Sequence, residues 1–206
     1  MKPNDKKIKD VYDKIAEGFY HIRQQPLTPE LEKISKKWKS GKLLDIGCGP
    51  ANSTLPFAKT GFSCSAIDIS SNMLKLAKQY AKKHSVKIKF IKGDLLKLPF
   101  PNQSFDYVIS IASFHHLDSE SKRLKALKEI KKVLKKNGKF FLTVWNKPEL
   151  YGTDDYIEWN NSGKIYNRYY HFFSKSELKD LFKKAGLNVK IYIDYKKKNI
   201  CILGKN

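Results

Sequence analysis

The segment Leu43-Leu44-Asp45-Ile46-Gly47-Cys48-Gly49-Pro50 restricts the fold more than any other. Its apolar run reads as a buried strand. The glycines that follow read as a tight strand-to-helix turn, where a missing Cβ lets a ligand approach the backbone closely. Asn52 to Lys59 then reads as a helix and Ser63 to Ile67 as a second strand, which completes one βαβ unit.

The alternation continues along the chain. Ser71 reads as the N-cap of a helix running to about Lys83, with Met73, Leu74, Ala77 and Ala81 on one face. Val86 to Ile91 follows as a third strand, and its alternation of Val86, Ile88 and Phe90 with Lys87 and Lys89 suits a sheet edge. Phe105 to Ile111 is a fourth strand, Ser121 to Lys136 a helix closed by Asn137-Gly138, and Lys139 to Trp145 a fifth strand. From Lys147 to Phe173 the periodicity lapses into a polar, aromatic-rich insert. Ser174 to Ala185 is a helix closed by Gly186, and Asn188 to Tyr192 and Asn199 to Leu203 pair as a hairpin. The expected fold is α/β and Rossmann-like: a seven-stranded, mostly parallel sheet with helices on both faces and a C-terminal antiparallel hairpin. One domain is expected over residues 1–206, with residues 1–40 as an N-terminal helical cap and residues 147–173 as a substrate-side insert. Sheets of this kind bind ligands beyond the carboxyl ends of their strands.

Composition narrows the partners. Of the 206 residues 41% are hydrophobic and 13% aromatic, which is enough to build a core and too much for a disordered chain. Lys and Arg number 41 against 20 Asp and Glu, and the resulting net charge of +21 favours polyanions such as nucleic acid or an anionic membrane surface. Lysines scattered over a surface need not form a site, so charge alone selects no partner. Cys48, Cys64 and Cys201 lie far apart without a C-x-x-C pair or a nearby His at ligand spacing, so no metal site is expected. No apolar run approaches the roughly 20 residues that span a bilayer, and the N-terminus lacks a signal-peptide core. A cytoplasmic protein without a membrane partner is expected.

The strand ends carry the chemistry. A dinucleotide fingerprint would need a third glycine where Asn52 stands, and no lysine follows as in a P-loop, so phosphate cradling is disfavoured. Asp68, nineteen residues past Gly49 at the end of the second strand, suits the two hydroxyls of an adenosine ribose. Asp94, in Lys92-Gly93-Asp94-Leu95, suits an adenine amino group, with Leu95 covering the ring. Three carboxylates at successive strand ends, Asp45, Asp68 and Asp94, are poor company for a pyrophosphate but suit a cationic sulfonium.

Over about Leu43 to Trp145 these segments resemble the class I S-adenosylmethionine-dependent methyltransferases. LDIGCGP is similar to their glycine motif, AIDIS to their ribose motif, GDLLKLPF to their adenine motif and SFDYVIS to their fourth strand. The resemblance implies S-adenosyl-L-methionine as cofactor, with Asp45 or nearby backbone facing its amino group, Asp68 the ribose and Asp94 the adenine. It places Gly47, Cys48, Gly49, Ile69, Met73, Leu95 and Ile111 around the same molecule. The opening segment Val11 to Ala16 with Phe19 and Arg23 resembles a motif shared by many of these enzymes, with Tyr12 near the cofactor and Arg23 near its carboxylate.

Two further segments, Ser110 to Leu117 and Asn167 to Phe173, resemble a narrower group: the tRNA methyltransferases that esterify the carboxymethyl group on wobble uridine. That resemblance implies the tRNA anticodon loop as substrate and a small zinc-binding activator protein as partner. A carboxylate is already ionised at neutral pH, so its methylation requires alignment rather than a general base. Arg168, His116 and His171 are the expected catalytic groups, holding the acceptor by hydrogen bonds. His115, Trp145, Tyr169 and Tyr170 are the expected substrate contacts, one of the tyrosines stacking on the extruded base. Arg168 and His171 are expected at the mouth of the cofactor pocket. A small-molecule methyltransferase of the quinone or sterol type shares the whole core and is the alternative, with RYYHFF then acting as lid packing. A noncatalytic RNA-binding or activator subunit is a third reading, which the intact cofactor motifs disfavour.

Overall fold

A computed structural model of the chain describes residues 5–22, 28–146 and 153–206. Two helices, α1 (Asp5–Ile22) and α2 (Glu30–Lys37), precede the first strand. There follow β1 (Lys42–Ile46), α3 (Leu55–Lys59), β2 (Ser63–Asp68), α4 (Ser71–Lys83), β3 (Ile88–Lys92) and β4 (Phe105–Ile111). The second half carries α5 (Glu120–Val133), β5 (Leu134–Trp145), β6 (Asp154–Asn161), β7 (Lys164–His171), α6 (Lys175–Lys184), β8 (Asn188–Ile193) and β9 (Asn199–Lys205).

Seven strands form one sheet in the order β3-β2-β1-β4-β5-β9-β8, with β1 to β5 parallel and β9 antiparallel to both β5 and β8. This is the Rossmann-like sheet with a terminal hairpin that the alternation predicts, and β3 lies at its edge. The strand order reverses between β1 and β4, and a crevice opens at such a switch point because the chain leaves the two strands toward opposite faces. One face is packed by α5 and α6, with Leu127, Ile130, Leu178 and Phe182 against Leu44, Val108 and Phe140. The other is packed by Leu31 and Trp38 from the α2 region and Phe57 of α3 against Leu43, Ile109 and Phe141. No described helix is long and apolar enough to cross a membrane.

Several local expectations are corrected. The first crossover helix starts at Leu55 rather than Asn52, because Ala51 takes a left-handed φ of 64° and residues 51–54 form turns in which Thr54 and Leu55 donate to the Ala51 carbonyl. The cap of α4 is Ser70, whose Oγ accepts from the Met73 amide at 3.1 Å; Ser71 is exposed and already helical. Helix α5 ends at Val133 rather than Lys136, and Leu134 to Gly138 enter β5 through a register shift, with Asn137 at φ 64°.

The insert is not irregular. Beyond residues 147–152, which lie outside the described residues, β6 and β7 form a separate two-stranded antiparallel sheet. Its turn is Ser162-Gly163, both at positive φ (53° and 86°), the geometry that matches the right-handed twist of a hairpin. Burial alternates along β6, with Asp155, Ile157 and Trp159 turned toward the body of the protein.

Candidate active site

At the end of β1 the chain turns under Gly47 (φ 70°) and Gly49 (φ 51°). The amides of Gly47 and Cys48 both donate to the Ile67 carbonyl, at 2.8 and 3.0 Å, and the Gly49 amide donates to Asp68 Oδ2 at 2.8 Å. A Cβ on Gly47 would collide with the Ser113 side chain, whose Oγ donates to the Gly47 carbonyl at 2.9 Å. A Cβ on Gly49 would meet nothing within 4 Å, because that side of the loop faces a cavity. The β1 and β2 loops are thereby tied together around one hollow.

Two carboxyl groups line this hollow. Asp45 is 1% exposed; its Oδ2 accepts from Thr54 Oγ1 at 2.6 Å, while its buried Oδ1 has no partner. Burial pushes the Asp45 carboxyl up to about 7, although the Thr54 hydroxyl opposes the shift. Asp68 accepts from the Ser70 amide at 2.9 Å as well as from Gly49, and burial pushes it up to about 6. A buried carboxylate oxygen without a donor is costly, so the arrangement calls for a cationic or donor-rich ligand. Asp94 lies in an adjoining hollow with Leu95 and Leu96, and Ile8, Gly47, Ile69, Leu95 and His116 border both hollows. One Asp94 oxygen accepts from the Leu96 amide at 2.8 Å. The predicted residues Tyr12, Gly47, Cys48, Gly49, Asp45, Asp68, Ile69, Met73, Leu95 and Ile111 all border the larger hollow. Arg23 lies outside the described residues.

The opposite wall is aromatic. Helix α1 is clamped over the cavity by Asp13, which accepts from Ser70 Oγ at 2.6 Å and from the Asn72 amide at 3.2 Å, and it brings Tyr12 and Phe19 to the opening. His116 Nδ1 lies 2.7 Å from the Tyr169 carbonyl, which can only accept, so Nδ1 carries the proton. Nε2 then accepts from the Tyr12 hydroxyl at 2.7 Å. Burial pushes His116 down to about 4. His115 Nδ1 accepts from the Trp145 amide at 3.1 Å, burial keeps the ring neutral, and its Nε2 has no partner.

Behind this wall sits a buried cation. Arg168 is 6% exposed, donates from Nη1 to the Tyr170 hydroxyl at 3.0 Å, and lies 5.0 Å from the Trp159 ring and 5.4 Å from the Tyr170 ring. No acidic side chain among the described residues pairs with it, and its Nε is buried without a partner. Tyr170 stacks on His115 at 4.6 Å and reaches the cavity, so Arg168 lies one layer back from it rather than at its mouth.

Other expected substrate contacts fall elsewhere. His171 is held between Asp154 and Glu177, each 2.7 Å from a ring nitrogen, with Arg123 Nη1 3.6 Å from Glu177. One nitrogen ties β7 to Asp154 of β6 and the other to Glu177 of α6, so His171 is a structural bridge and not a donor to an acceptor in the cavity. Strand alternation sends Tyr169 away from Tyr170; its hydroxyl donates to Asp154 and its ring faces an outer groove beside α1. Trp145 packs edge-on against Tyr170 at 5.5 Å, supporting that ring from behind. Sequence reasoning missed Thr54 and Ser113. Their signal was only their place, one in the helix-entry turn and one just past β4. Among the described residues no cluster of three His, Cys, Asp or Glu side chains is placed to hold a metal.

The Methyltransferase domain family model matches residues 44–142. Over 87% of each chain, the protein is 29% identical to the tRNA (carboxymethyluridine(34)-5-O)-methyltransferase of Schizosaccharomyces pombe. It is 31% identical to the ubiquinone biosynthesis O-methyltransferase of Pelagibacter ubique, over 78% of this chain and 67% of that one. Among solved structures, a chain in the complex between the Haloferax volcanii Trm112 methyltransferase activator and a methyltransferase superposes with a TM-score of 0.72. That match has 19% identity and covers 96% of both chains.

Proposed function

Because the chain belongs to the class I S-adenosylmethionine-dependent methyltransferases, and so uses S-adenosylmethionine as cofactor, we propose that it transfers the methyl group to a carboxylate, the carboxymethyl group of a wobble uridine in tRNA. When bound, the cofactor supplies an electrophilic methyl on a positively charged sulfur. Asp45 Oδ1 is the group that would take its ammonium, Asp68 would accept from the ribose hydroxyls and Asp94 from the adenine amino group. We read residues 1–206 as one methyltransferase domain, with residues 1–40 capping the cofactor and the β6–β7 hairpin closing the acceptor side.

The observation that carries the acceptor assignment is the combination of an engaged histidine and a buried cation that no acidic side chain among the described residues pairs with. Both His116 nitrogens are hydrogen-bonded and its pKa is about 4, so it is not a base for an acceptor that must lose a proton. Arg168, buried with no carboxylate partner among the described residues, places positive charge behind Tyr170 and Tyr12 and favours an acceptor that arrives as an anion. Arg168 is thus a positioning residue that holds and polarises the Tyr170 hydroxyl. The similarity to the Schizosaccharomyces pombe enzyme along 87% of both chains supports the same substrate class. The Haloferax volcanii neighbour was solved with an activator protein, which supports an activator as partner here; the family resemblance implies that it is small and zinc-binding. We place the activity in the cytoplasm, on the anticodon loop.

One observation favours a second reading. The cavity wall is largely apolar, with Ile8, Phe19, Ile69 and Met73, and the Pelagibacter relative acts in ubiquinone biosynthesis. Mass spectrometry separates the two: the protein, with and without a candidate activator, is given labelled cofactor and either tRNA bearing carboxymethyluridine or a demethylated quinone. Label on the wobble nucleoside supports the proposal, and label confined to the quinone overturns it.

A further inference from the structure

Tyr195 is the most exposed aromatic side chain among the described residues, at 66% of its surface, and it stands at the tip of the β8–β9 hairpin beside Lys196, Lys197 and Lys198. Lys196 Nζ lies 5.7 Å from its ring and Lys33 Nζ of α2 lies 6.0 Å from it. Two ammonium groups thus stand within about 6 Å of an exposed ring, and two more exposed lysines follow it in the chain.

The tip is rigid. Asp194 is 3% exposed and its carboxylate accepts from the Lys198 and Asn199 amides and from Asn199 Nδ2, at 2.7 to 3.2 Å. The Lys197 amide donates to the Asp194 carbonyl, and Asn146 Nδ2 donates to the Lys197 carbonyl at 2.8 Å. Lys197 is held at φ 54°, in the left-handed region that side chains of this kind rarely adopt. The one acidic group of the loop is turned inward and consumed by these bonds, so the outer surface is basic.

Trp145 at the carboxyl end of β5 pairs with Asn199, so the tip projects from the same end of the sheet as the glycine loop. Trp145 in turn packs on Tyr170 at the cavity. An extended polyanion docked on the tip can lie across this end of the sheet with one residue at the cavity.

We propose that the β8–β9 tip is an RNA-docking surface, in which Tyr195 stacks on a base and Lys33, Lys196, Lys197 and Lys198 contact phosphates. This rests on tRNA being the substrate and assigns the grip outside the cavity. Stacking on an exposed ring accepts any base, and the lysines follow the backbone, so the surface serves binding rather than sequence choice.

The test measures binding and methylation of a tRNA bearing carboxymethyluridine by the wild type, Tyr195→Ala, Tyr195→Phe and the triple variant Lys196→Gln/Lys197→Gln/Lys198→Gln. Tyr195→Ala should weaken binding about tenfold and raise KM with kcat little changed, and Tyr195→Phe should behave as wild type. The triple variant should flatten the slope of log affinity against log salt by about 2, as three phosphate contacts are lost. Unchanged cofactor affinity in every variant reports an intact fold. Wild-type methylation with all variants equal to it overturns the docking surface alone. Tip-dependent tRNA binding without methylation, in assays with and without a candidate activator, sinks the substrate reading and leaves the docking surface standing. Tip-dependent binding to phosphatidylserine vesicles, with tRNA affinity unaltered by the variants, assigns the tip to a membrane and overturns the proposal.

Discussion

Cofactor affinity should depend on pH through Asp45. In the protein alone burial holds this carboxyl at about 7, with Oδ1 unpaired and Oδ2 on Thr54. A ligand ammonium placed on Oδ1 favours the ionised form, so binding releases a proton wherever Asp45 was protonated beforehand. Affinity for S-adenosylhomocysteine, which keeps the ammonium, should be flat above pH 7.5 and fall as pH drops through 7. At pH 6 it should be about tenfold weaker than on the plateau, a cost of about 1.4 kcal/mol, with close to one proton released per ligand. Asp68, at about 6, adds about a further twofold at pH 6 and more below it. Asp45→Asn preserves an acceptor for Thr54 but cannot titrate, so its affinity should be lower and nearly flat between pH 6.5 and 8, with only the Asp68 dependence left below that. Calorimetry in buffers of different ionisation enthalpy reads both the affinity and the proton count. A flat wild-type profile, or the same slope in Asp45→Asn, refutes the assignment of Asp45 to the ammonium. The same burial has a cost for stability. Between the ordinary carboxylate range and pH 7 the native state binds more protons than the unfolded chain, so the ligand-free protein loses stability as pH rises through that window. Asp45→Asn should therefore melt higher than wild type at pH 8.

Three further outcomes follow from the same geometry. Asp68→Ala should weaken cofactor binding by about 1.5–3 kcal/mol per charge-assisted bond lost, measured by calorimetry, and unchanged affinity would remove Asp68 from the ribose. Gly47→Ala, with its left-handed φ and its contact with Ser113, should lower the melting temperature and abolish cofactor binding; wild-type binding would show that the loop yields. Arg168→Ala should reduce kcat strongly while leaving cofactor affinity nearly intact, with Lys a poor replacement because it lacks the planar fork that spans Tyr170 and the Glu158 carbonyl; equal losses of both would mean that Arg168 serves the fold.

The core of this fold was legible because its signals are local. A glycine pair after an apolar run, carboxylates at strand ends and the alternation in β3 each depend on a few neighbouring residues. The boundaries that shifted were set by distant partners. Thr54 leaves the helix pattern to bond Asp45, Ser70 takes the cap because Asp13 of α1 anchors it, and β5 begins early because Asn137-Gly138 makes a bulge against β4. The β6–β7 hairpin was hidden because only Ile157 and Trp159 mark its inward face among polar neighbours, although Asn161-Ser162-Gly163 carried the turn signal. On the acceptor side, sequence brought the right segment to the site but could not choose between neighbours. Tyr169 and Tyr170 part by strand alternation, and His171 is claimed by Asp154 and Glu177, which lie 17 residues before it and 6 after it. Such pairings follow from the fold of the insert, not from its composition.

A methyl group transferred to a carboxylate forms an ester, and the stability of the product bond reports this directly. After reaction with cofactor labelled in its methyl group, the recovered tRNA is treated with mild alkali and the volatile label is collected. A methyl ester hydrolyses under these conditions, so the account predicts that nearly all of the label leaves as methanol and that the wobble nucleoside reverts to carboxymethyluridine. Label that stays on the tRNA through the treatment, as a methyl on a ring nitrogen, a carbon or a ribose oxygen would, contradicts it.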